Sequence, residues 1–512
     1  MKIGSRFWNS CWMWVLAMGV VLGMWGQVVA QEAARGDNPL SAEGAVSSSG
    51  KVAGEDEPSS GDEKRDPFLK NARGERAESG GGEDYGKRDP YAEVAAEAAA
   101  AAREPAKVIA VSSEFIEVPR ERWLEVMAAD EGDPLDGGAL REEVQGWLEA
   151  GDARHVGGGM TVTRSGQRAK VQSVQEFIYP TDLTSGGPNA RFPSAFETWN
   201  LGFELEVDPQ IAPSEDEGKR GVPKIDMNLV PAMVWYVGEY RYGYEEGALA
   251  GEPLVIEPIY RSMQSTTSQA VRSGEYRLLD SFSWTDEVGG PTREGKVLSF
   301  VRADVVEVAP VPGNEKMPDG AQGILQIEWI EVSSAWWSDW LLGSEGSALL
   351  LDARRAVGEA LKDGSAELVE VVRMPVRSGQ RVKSESTRFM LYPAEWDPPR
   401  EEGERSERAS CETRNLGVTV EVDPVLASGG FADVNFVPEI VTHVGENIHQ
   451  RIEIGGNWVP DVTTPLFYTM KNTAAVTVAL NEPMLVSVMA PADEEGFPDG
   501  ERRTLLFLTV RR

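Results

Sequence analysis

The chain beyond residue 105 is dominated by short runs in which apolar and polar residues alternate. In 203–207 (FELEV) and 418–422 (VTVEV) every second residue is apolar, which predicts strands with one buried face and one face in water. Apolar stretches over 108–118 and 324–332 predict opening strands, and 505–510 predicts a terminal strand that pairs inside a sheet. Gly, Pro and Asp separate these runs, so strands are expected in succession.

Helical spacing follows each opening strand. Apolar residues recur at intervals of three and four over 121–129, 140–150 and 349–362, which predicts amphipathic helices there. Strands occupy most of the remaining sequence. The pattern therefore predicts a β-rich α+β fold, with short helices on one side of mainly antiparallel sheets.

The chain is duplicated from residue 106 onward. Short motifs occur twice in the same order. EFIEVP at 114 returns as EWIEVS at 328, RSGQR occurs at 164 and again at 377, and YP occurs at 179 and again at 392. NLG followed by EVDP begins at 200 and again at 415, and NLVP followed by VGE begins at 228 and returns as NFVP followed by VGE at 435. This collinear order predicts two copies of one structural unit, 106–310 and 321–512, joined by the Pro- and Gly-rich stretch 309–323.

The first thirty residues have the organisation of an export signal. Lys2 and Arg6 precede an apolar stretch that ends in small residues at Ala30, so cleavage before Gln31 is expected. An uncleaved membrane anchor is the alternative. Residues 31–105 contain Gly- and Ser-rich runs and few large apolar residues, which predicts a disordered acidic tether.

Charge and cysteine content narrow the function classes. The formal net charge is −33 and no basic stripe offsets it, so nucleic acid is not an expected partner. Of the two cysteines only Cys411 lies beyond the export signal, which excludes an intrachain disulfide framework in the exported chain. We interpret Cys411 as an incidental thiol in a polar loop over 406–414.

No residue is predicted to be catalytic, to bind a cofactor or to ligate a metal. His443 and His449, with Glu446 and Glu453 nearby, are the residue types of a metal site, but the counterpart of His443 in the first copy is Tyr236. No P-loop, nucleophile-elbow or dinucleotide motif occurs in a suitable context. We expect a protein that is not an enzyme.

Two glycine motifs and a tryptophan cluster have structural interpretations. The GGG at 157–159 predicts a flexible turn before a strand, and the two SGQ motifs predict tight turns. Trp336, Trp337 and Trp340 are expected to pack a helix against a sheet, with an exposed patch for a partner protein or glycan as the alternative.

The order of these motifs resembles the C-terminal domain of bacterial type II and type III secretins and of type IV pilus secretins. That domain has an E-x-x-E-V opening strand, an S-G-Q turn, a Y-P-T segment, and L-x-V-x-P and L-x-x-P-E strands. The matching segments are 165–167, 179–181, 205–209 and 229–231 in the first copy, and 378–380, 392–393, 420–424 and 436–439 in the second. The chain departs from the family in two respects: a tether replaces the N-terminal ring domains, and 289–296 and 491–500 lack the family's V-P-x-L-G-x-I-P-x-x-G segment.

The resemblance implies a secretin-like envelope protein in the periplasm or associated with the outer membrane. Its partners would be other envelope or secretion-system proteins, or further copies of itself. We expect an interaction or scaffold module, and the alternative is a subunit of a protein-export or pilus channel in the outer membrane. Glu204 and Glu206 place charges on candidate membrane strands and Pro231 and Pro438 interrupt them, so we expect a soluble monomer or small oligomer that opens no channel.

Overall fold

The computed structural model describes residues 105–129, 137–185, 191–213, 221–242, 255–286, 289–312, 316–401 and 404–512. The predicted export signal over 1–30 and, up to residue 104, the predicted tether over 31–105 lie outside the described residues.

Each copy opens with a strand and helices and continues with strands. The first copy consists of β1 (Ala106–Pro119), α1 (Arg120–Ala129), α2 (Gly138–Ala150), β2 (Arg154–Arg164), β3 (Ala169–Ser185), β4 (Arg191–Ile211), β5 (Lys224–Tyr242), β6 (Val255–Gln264), β7 (Thr267–Arg272), β8 (Tyr276–Thr285) and β9 (Pro291–Val308). The second consists of β10 (Gln322–Ser333), α3 (Ser334–Gly343), α4 (Ser347–Leu351), α5 (Ala353–Asp363), β11 (Glu367–Arg377), β12 (Val382–Asp397), β13 (Glu407–Ala427), β14 (Phe431–Ile454), β15 (Asn457–Ala479), β16 (Met484–Met489) and β17 (Arg502–Arg511). The predicted opening strands, helices and terminal strand are confirmed, except that the helix predicted over 349–362 is divided between α4 and α5.

The strands form two antiparallel sheets that run without a break through both copies. Sheet A has the order β11-β10-β17-β16-β2-β1-β9-β8. Sheet B has the order β12-β13-β14-β15-β3-β4-β5-β6, and β7 continues the edge of β6 by pairing with β5. One further pair, Glu395 with Ala195, joins β12 to β4. The β-rich α+β class is confirmed. The bounds of the two copies, 106–310 and 321–512, remain a prediction from the motifs.

The fold has three layers: the helices, sheet A and sheet B. The helices pack on strands of sheet A, and the core on its other side joins the two sheets, as at Phe115 and Phe203, whose ring centroids are 6.2 Å apart. Sheet A is therefore covered on both faces, and even Ser113 and Glu114 of β1 are buried. Sheet B buries one face, so β13 alternates buried and exposed residues as its sequence pattern predicts.

Corresponding strands of the two copies pair in corresponding registers and share several irregularities. The ladder of β1 with β2 shifts between Phe115 and Ile116, and the ladder of β10 with β11 shifts at the matching Trp329 and Ile330. Matching bulges also occur in the other hairpins: at Pro180 and Pro393, at Tyr236 and His443, and at Leu278 and Leu485. Such bulges fix register, so the residues of these ladders in one copy have defined counterparts in the other.

The repeated RSGQR and EVDP motifs contact each other in both copies. Gly166 and Gly379 adopt φ of 76° and 75°, as the predicted turns require. The turn docks on the neighbouring strand because the Gly166 amide donates to the Pro209 carbonyl, as Gly379 does to Pro424. Arg168 forms an ion pair with Asp208, and Arg381 forms the same pair with Asp423. The two motifs are thus repeated together because each positions the other.

The prediction that Pro231 and Pro438 interrupt their strands is wrong. β5 and β14 continue through these residues, which pair with Leu205 and Val420 on one side. Proline lacks an amide donor, so only the ladder on the other side is broken. In the first copy that gap separates β6 from β7, and in the second β15 remains one strand.

Candidate interaction surface

The residues considered for metal binding are not brought together. His449 shares a 2.8 Å hydrogen bond with Thr464 Oγ1, and burial lowers its pKa to about 4. His443 lies on the exposed side of β14, 6.2 Å from the Phe467 ring centroid. Within the described residues, no three His, Cys, Asp or Glu side chains are grouped closely enough to hold a metal ion.

The tryptophan cluster packs against the core. Trp337 is buried, and Trp336 stacks on Trp340 with ring centroids 5.7 Å apart. Trp340 Nε1 donates to the Leu349 carbonyl at 3.1 Å, which ties α3 to α4. These contacts agree with the predicted packing role and leave the alternative of an exposed patch without support.

Cys411 lies in a strand, so the prediction of a polar loop over 406–414 is wrong. The residue is exposed on β13, opposite Pro393 of β12. A strand was hard to predict here, because this part of β13 is polar on both faces and lies beyond the buried half of the strand.

The two copies are joined head to tail. In sheet B, β15 of the second copy pairs with β3 of the first from Phe467–Glu176 to Thr473–Lys170. In sheet A, β16 pairs with β2 at Ser487–Thr161 and Val488–Met160. β15 corresponds to β6, and β3 corresponds to β12. Each copy therefore uses a different edge at this joint, which makes the interface heterologous.

An ionic cluster closes the joint in sheet B. Arg414 on β13 donates from Nε to Glu176 Oε2 on β3 at 3.1 Å, and from Nη2 to Thr469 Oγ1 at 3.1 Å. Glu439 accepts from Arg414 at 3.4 Å and lies 3.5 Å from Lys471 Nζ. Burial lowers the pKa of Arg414, but the hydrogen bonds and charges of Glu176 and Glu439 raise it above its ordinary value. The charges are half-buried and mutually paired, so they fix the register of the two copies.

The GGG motif lies inside this joint, so its prediction as a flexible turn is wrong. Residues 157–159 belong to β2 and are buried. A Cβ on Gly159 would lie 2.7 Å from the Val488 carbonyl oxygen of β16 and 2.8 Å from the Phe203 ring. Only glycine lets β16 and sheet B approach this closely. The counterpart Val372, on the free edge β11, has no such neighbour strand.

Replacing Gly159 with alanine should destabilise the joint in sheet A. The added methyl meets a backbone carbonyl, which cannot move aside, and overpacking of this kind costs about 1–3 kcal/mol. Denaturant unfolding of the whole chain measures the loss. Gly146→Ala is the matched control, because nothing lies near its Cβ and alanine favours the helix α2. Equal stability of the two variants would contradict the argument.

A buried polar cluster also crosses between the copies. Arg141 of α2 donates from Nε and Nη2 to the Glu114 carboxylate at 2.9 and 3.0 Å, and from Nη2 to Ser338 Oγ of α3 at 2.7 Å. Burial alone raises the pKa of Glu114, but the charge and hydrogen bonds of Arg141 outweigh it and hold that pKa below its ordinary value. Arg302 of β9 makes a similar connection: it pairs with Asp304 at 2.8 Å and donates to carbonyls of the α3 region.

Each sheet ends in an edge strand on both sides, and among the described residues only β12 makes a further pair there, Glu395 with Ala195 of β4. The edges β11 and β12 belong to the second copy, and β8 and β6–β7 belong to the first. Large apolar side chains are exposed beside them. Phe389 and Leu391 of β12 are 72% and 68% exposed, whereas Ile178, the counterpart of Leu391 at the internal joint, is 5% exposed. Unpaired strands with apolar side chains are templates for another strand.

Comparison with known proteins identifies no family for this chain. No family model matches the chain, and no curated protein matches it. Among solved structures, the V. cholerae type IV competence pilus secretin PilQ, determined by single-particle cryo-EM, is similar with a TM-score of 0.18 and 9% sequence identity. The match covers 83% of this chain and 65% of that chain, so this chain spans less than two thirds of the secretin's length. Among the described residues, no helix is long and apolar enough to cross a membrane.

Proposed function

We propose that this is an exported, non-enzymatic envelope protein that acts as a scaffold by associating with copies of itself along the edges of sheet B. The observation that carries the proposal is the head-to-tail joint inside the chain. Both edges used at that joint occur a second time, as β6–β7 and β12, and among the described residues they are unpaired except for Glu395 of β12, which pairs with Ala195. An interface of this kind repeats from molecule to molecule, closing into a ring or continuing as a filament.

The proposal replaces the expectation of a monomer or small oligomer with that of an open-ended or ring-shaped oligomer. It rests on sheet B, where the internal joint is a seven-residue ladder from 467–473 to 170–176. Sheet A contributes less, because Val372 stands where Gly159 admits the neighbouring strand. Main-chain hydrogen bonds along β12 would supply affinity, and the side chains beside it would supply specificity.

Sedimentation velocity of the full exported chain over a range of concentrations tests this function. We expect species larger than the monomer to grow with concentration, without detergent. Ser262→Lys places a charge on the free edge β6 and should shift the population to monomer, because a lysine opposes edge pairing. Ala139→Lys, an exposed change on α2, is the control and should sediment like the unmodified chain.

Three outcomes would contradict the proposal. A monomer at all concentrations would remove self-association. Multimers extracted only by detergent, together with ion currents in planar bilayers, would favour the channel subunit. Turnover of an envelope polymer that depends on a defined side chain would show an enzyme.

A further inference from the structure

The edge strands β6 and β12 carry different side chains from their counterparts at the joint inside the molecule. Counterparts follow from the matching motifs and bulges of the two copies. Glu176 on β3 corresponds to Phe389 on β12, and Arg414 on β13 corresponds to Trp199 on β4. The Glu–Arg ion pair of the internal joint is thus replaced, at the free ends, by two aromatic residues.

The remaining members of the ionic cluster are replaced as well. Glu439 corresponds to Ala232 and Lys471 to Gln264, while Thr469 keeps a hydroxyl at Ser262. No charge is left unpaired in this set. A single lost partner would have left a half-buried charge without compensation, which is costly. All four charged positions of the internal joint are thus replaced together, as a second, apolar version of the same interface requires.

The free aromatic residues are placed for that contact. Trp199 is 48% exposed and stacks on Tyr260 of β6 with ring centroids 5.5 Å apart and an interplanar angle of 10°. Tyr260 is the counterpart of Phe467, which faces Glu176 across the internal joint. The same register therefore sets Tyr260 of one molecule opposite Phe389 of the next, with Trp199 beside the pair.

We infer that molecules of this protein join head to tail through an aromatic contact in which Phe389 on β12 of one molecule packs against Trp199 and Tyr260 of another. This inference rests on the proposed function and names its partner, a second copy of the chain, and its register. In that register Ser262 of one molecule faces Thr387 of the next, as Thr469 faces Val174 inside the chain. Mixed pairing of an ionic with an aromatic edge is disfavoured, because a half-buried charge would lose its counter-ion. This keeps the internal edges from pairing with the external ones.

The pair that joins β12 to β4 within one molecule leaves room for this contact. β4 of the same chain meets β12 at Glu395. The segment that would pair, 383–389, is the counterpart of 170–176 and ends before that residue. Phe389 remains exposed although β12 and β4 are paired at Glu395.

Exchange of the two joint types tests the inference. Phe389→Glu and Trp199→Arg should each raise the dissociation constant for self-association at least about 30-fold, as loss of an interface anchor does. The double variant restores the Glu–Arg pair of the internal joint and should bind within about tenfold of the unmodified chain. Both residues are exposed, and melting curves check that each variant is folded.

Cross-linking gives a second readout that does not depend on affinity. Paired residues of adjacent antiparallel strands lie within disulfide reach. In a Cys411→Ser background, Ser262→Cys with Thr387→Cys should give a ladder of covalent oligomers on oxidation, and Ser262→Cys with Lys383→Cys should not.

The failures of the two proposals are distinguishable. If the unmodified chain assembles but the double variant binds no better than the weaker single variant, or the two cysteine pairs cross-link equally, the register is wrong and self-association stands. Unchanged assembly of both single variants would also overturn the aromatic joint. If the unmodified chain never assembles, the proposed function itself fails.

Discussion

Arg141→Met should lower the free energy of unfolding by about 3–5 kcal/mol. The guanidinium is buried and makes two hydrogen bonds to Glu114 and one to Ser338 of the second copy. Methionine preserves much of the side-chain volume but leaves the Glu114 carboxylate buried without a cation. Removal of one partner of a buried pair carries this large cost because the remaining charge is uncompensated.

Denaturant unfolding of the whole chain measures this effect, and two variants separate its causes. Replacing both members, Arg141→Met with Glu114→Leu, should recover a large part of the loss, because no charge then remains buried. Arg122→Met makes the same side-chain change in the exposed i,i+3 pair with Glu125 and should cost about 0.5 kcal/mol or less. A loss at Arg141 no larger than that at Arg122 would show that the cluster does not hold the copies together.

The sequence predicts the parts of the fold that depend on local pattern. The alternation in 203–207 and 418–422, the turns at 165–167 and 378–380, and the terminal strand over 505–510 are all found. Each is set by neighbours in sequence: period-two burial, a positive φ at glycine, or an apolar run. The duplication also follows from sequence alone, since both motif and order recur.

The joint between the copies could not be predicted in the same way. Gly159 looks like part of a flexible turn because the strand that packs on it, β16, is more than 300 residues further along the chain, as the Val488–Met160 pair shows. Glu114 looks like the polar position of an alternating strand. Its partner Arg141 lies on the helix α2, 27 residues further along the chain. Glu114 is buried because sheet A is covered on both faces, and the spacing of apolar residues in one strand does not reveal what covers it.

The sequence contains one signal for the interaction surface, but it can be recognised only with the structure. Phe389 and Trp199 differ in type from their counterparts Glu176 and Arg414. Compared one motif at a time, each difference is an ordinary divergence between copies. Only the contact between Glu176 and Arg414 shows that the two differences belong together.

Stability should fall as the pH drops below about 6.5, by up to about 1.4 kcal/mol per pH unit for each of the partly buried histidines His155 and His449. Burial lowers the pKa of His155 to about 3, and the nearby positive charge of Arg503 acts in the same direction. In the unfolded chain the imidazole has its ordinary pKa of about 6.5. Between these two values the unfolded state binds a proton that the folded state does not, so the folded state loses stability as the pH falls through this window. Above about pH 6.5 neither state is protonated and the histidine contributes no slope.

His155→Leu should remove that slope from the window between about pH 6.5 and 3, as measured by urea unfolding at a series of pH values. Leucine is the residue at the counterpart position, Leu368, so the surrounding hairpin is compatible with it. His449, whose pKa burial lowers to about 4, should keep contributing over the narrower window down to that value. Leu368→Ala is the matched control, since it alters the same position of the other copy and removes no titrating group. If the His155→Leu chain loses stability with acid as steeply as the unmodified chain, the acid sensitivity lies in the carboxylates, foremost Glu114. Because the pKa of Glu114 is lowered, its ion pair with Arg141 fails only when the pH falls through that value.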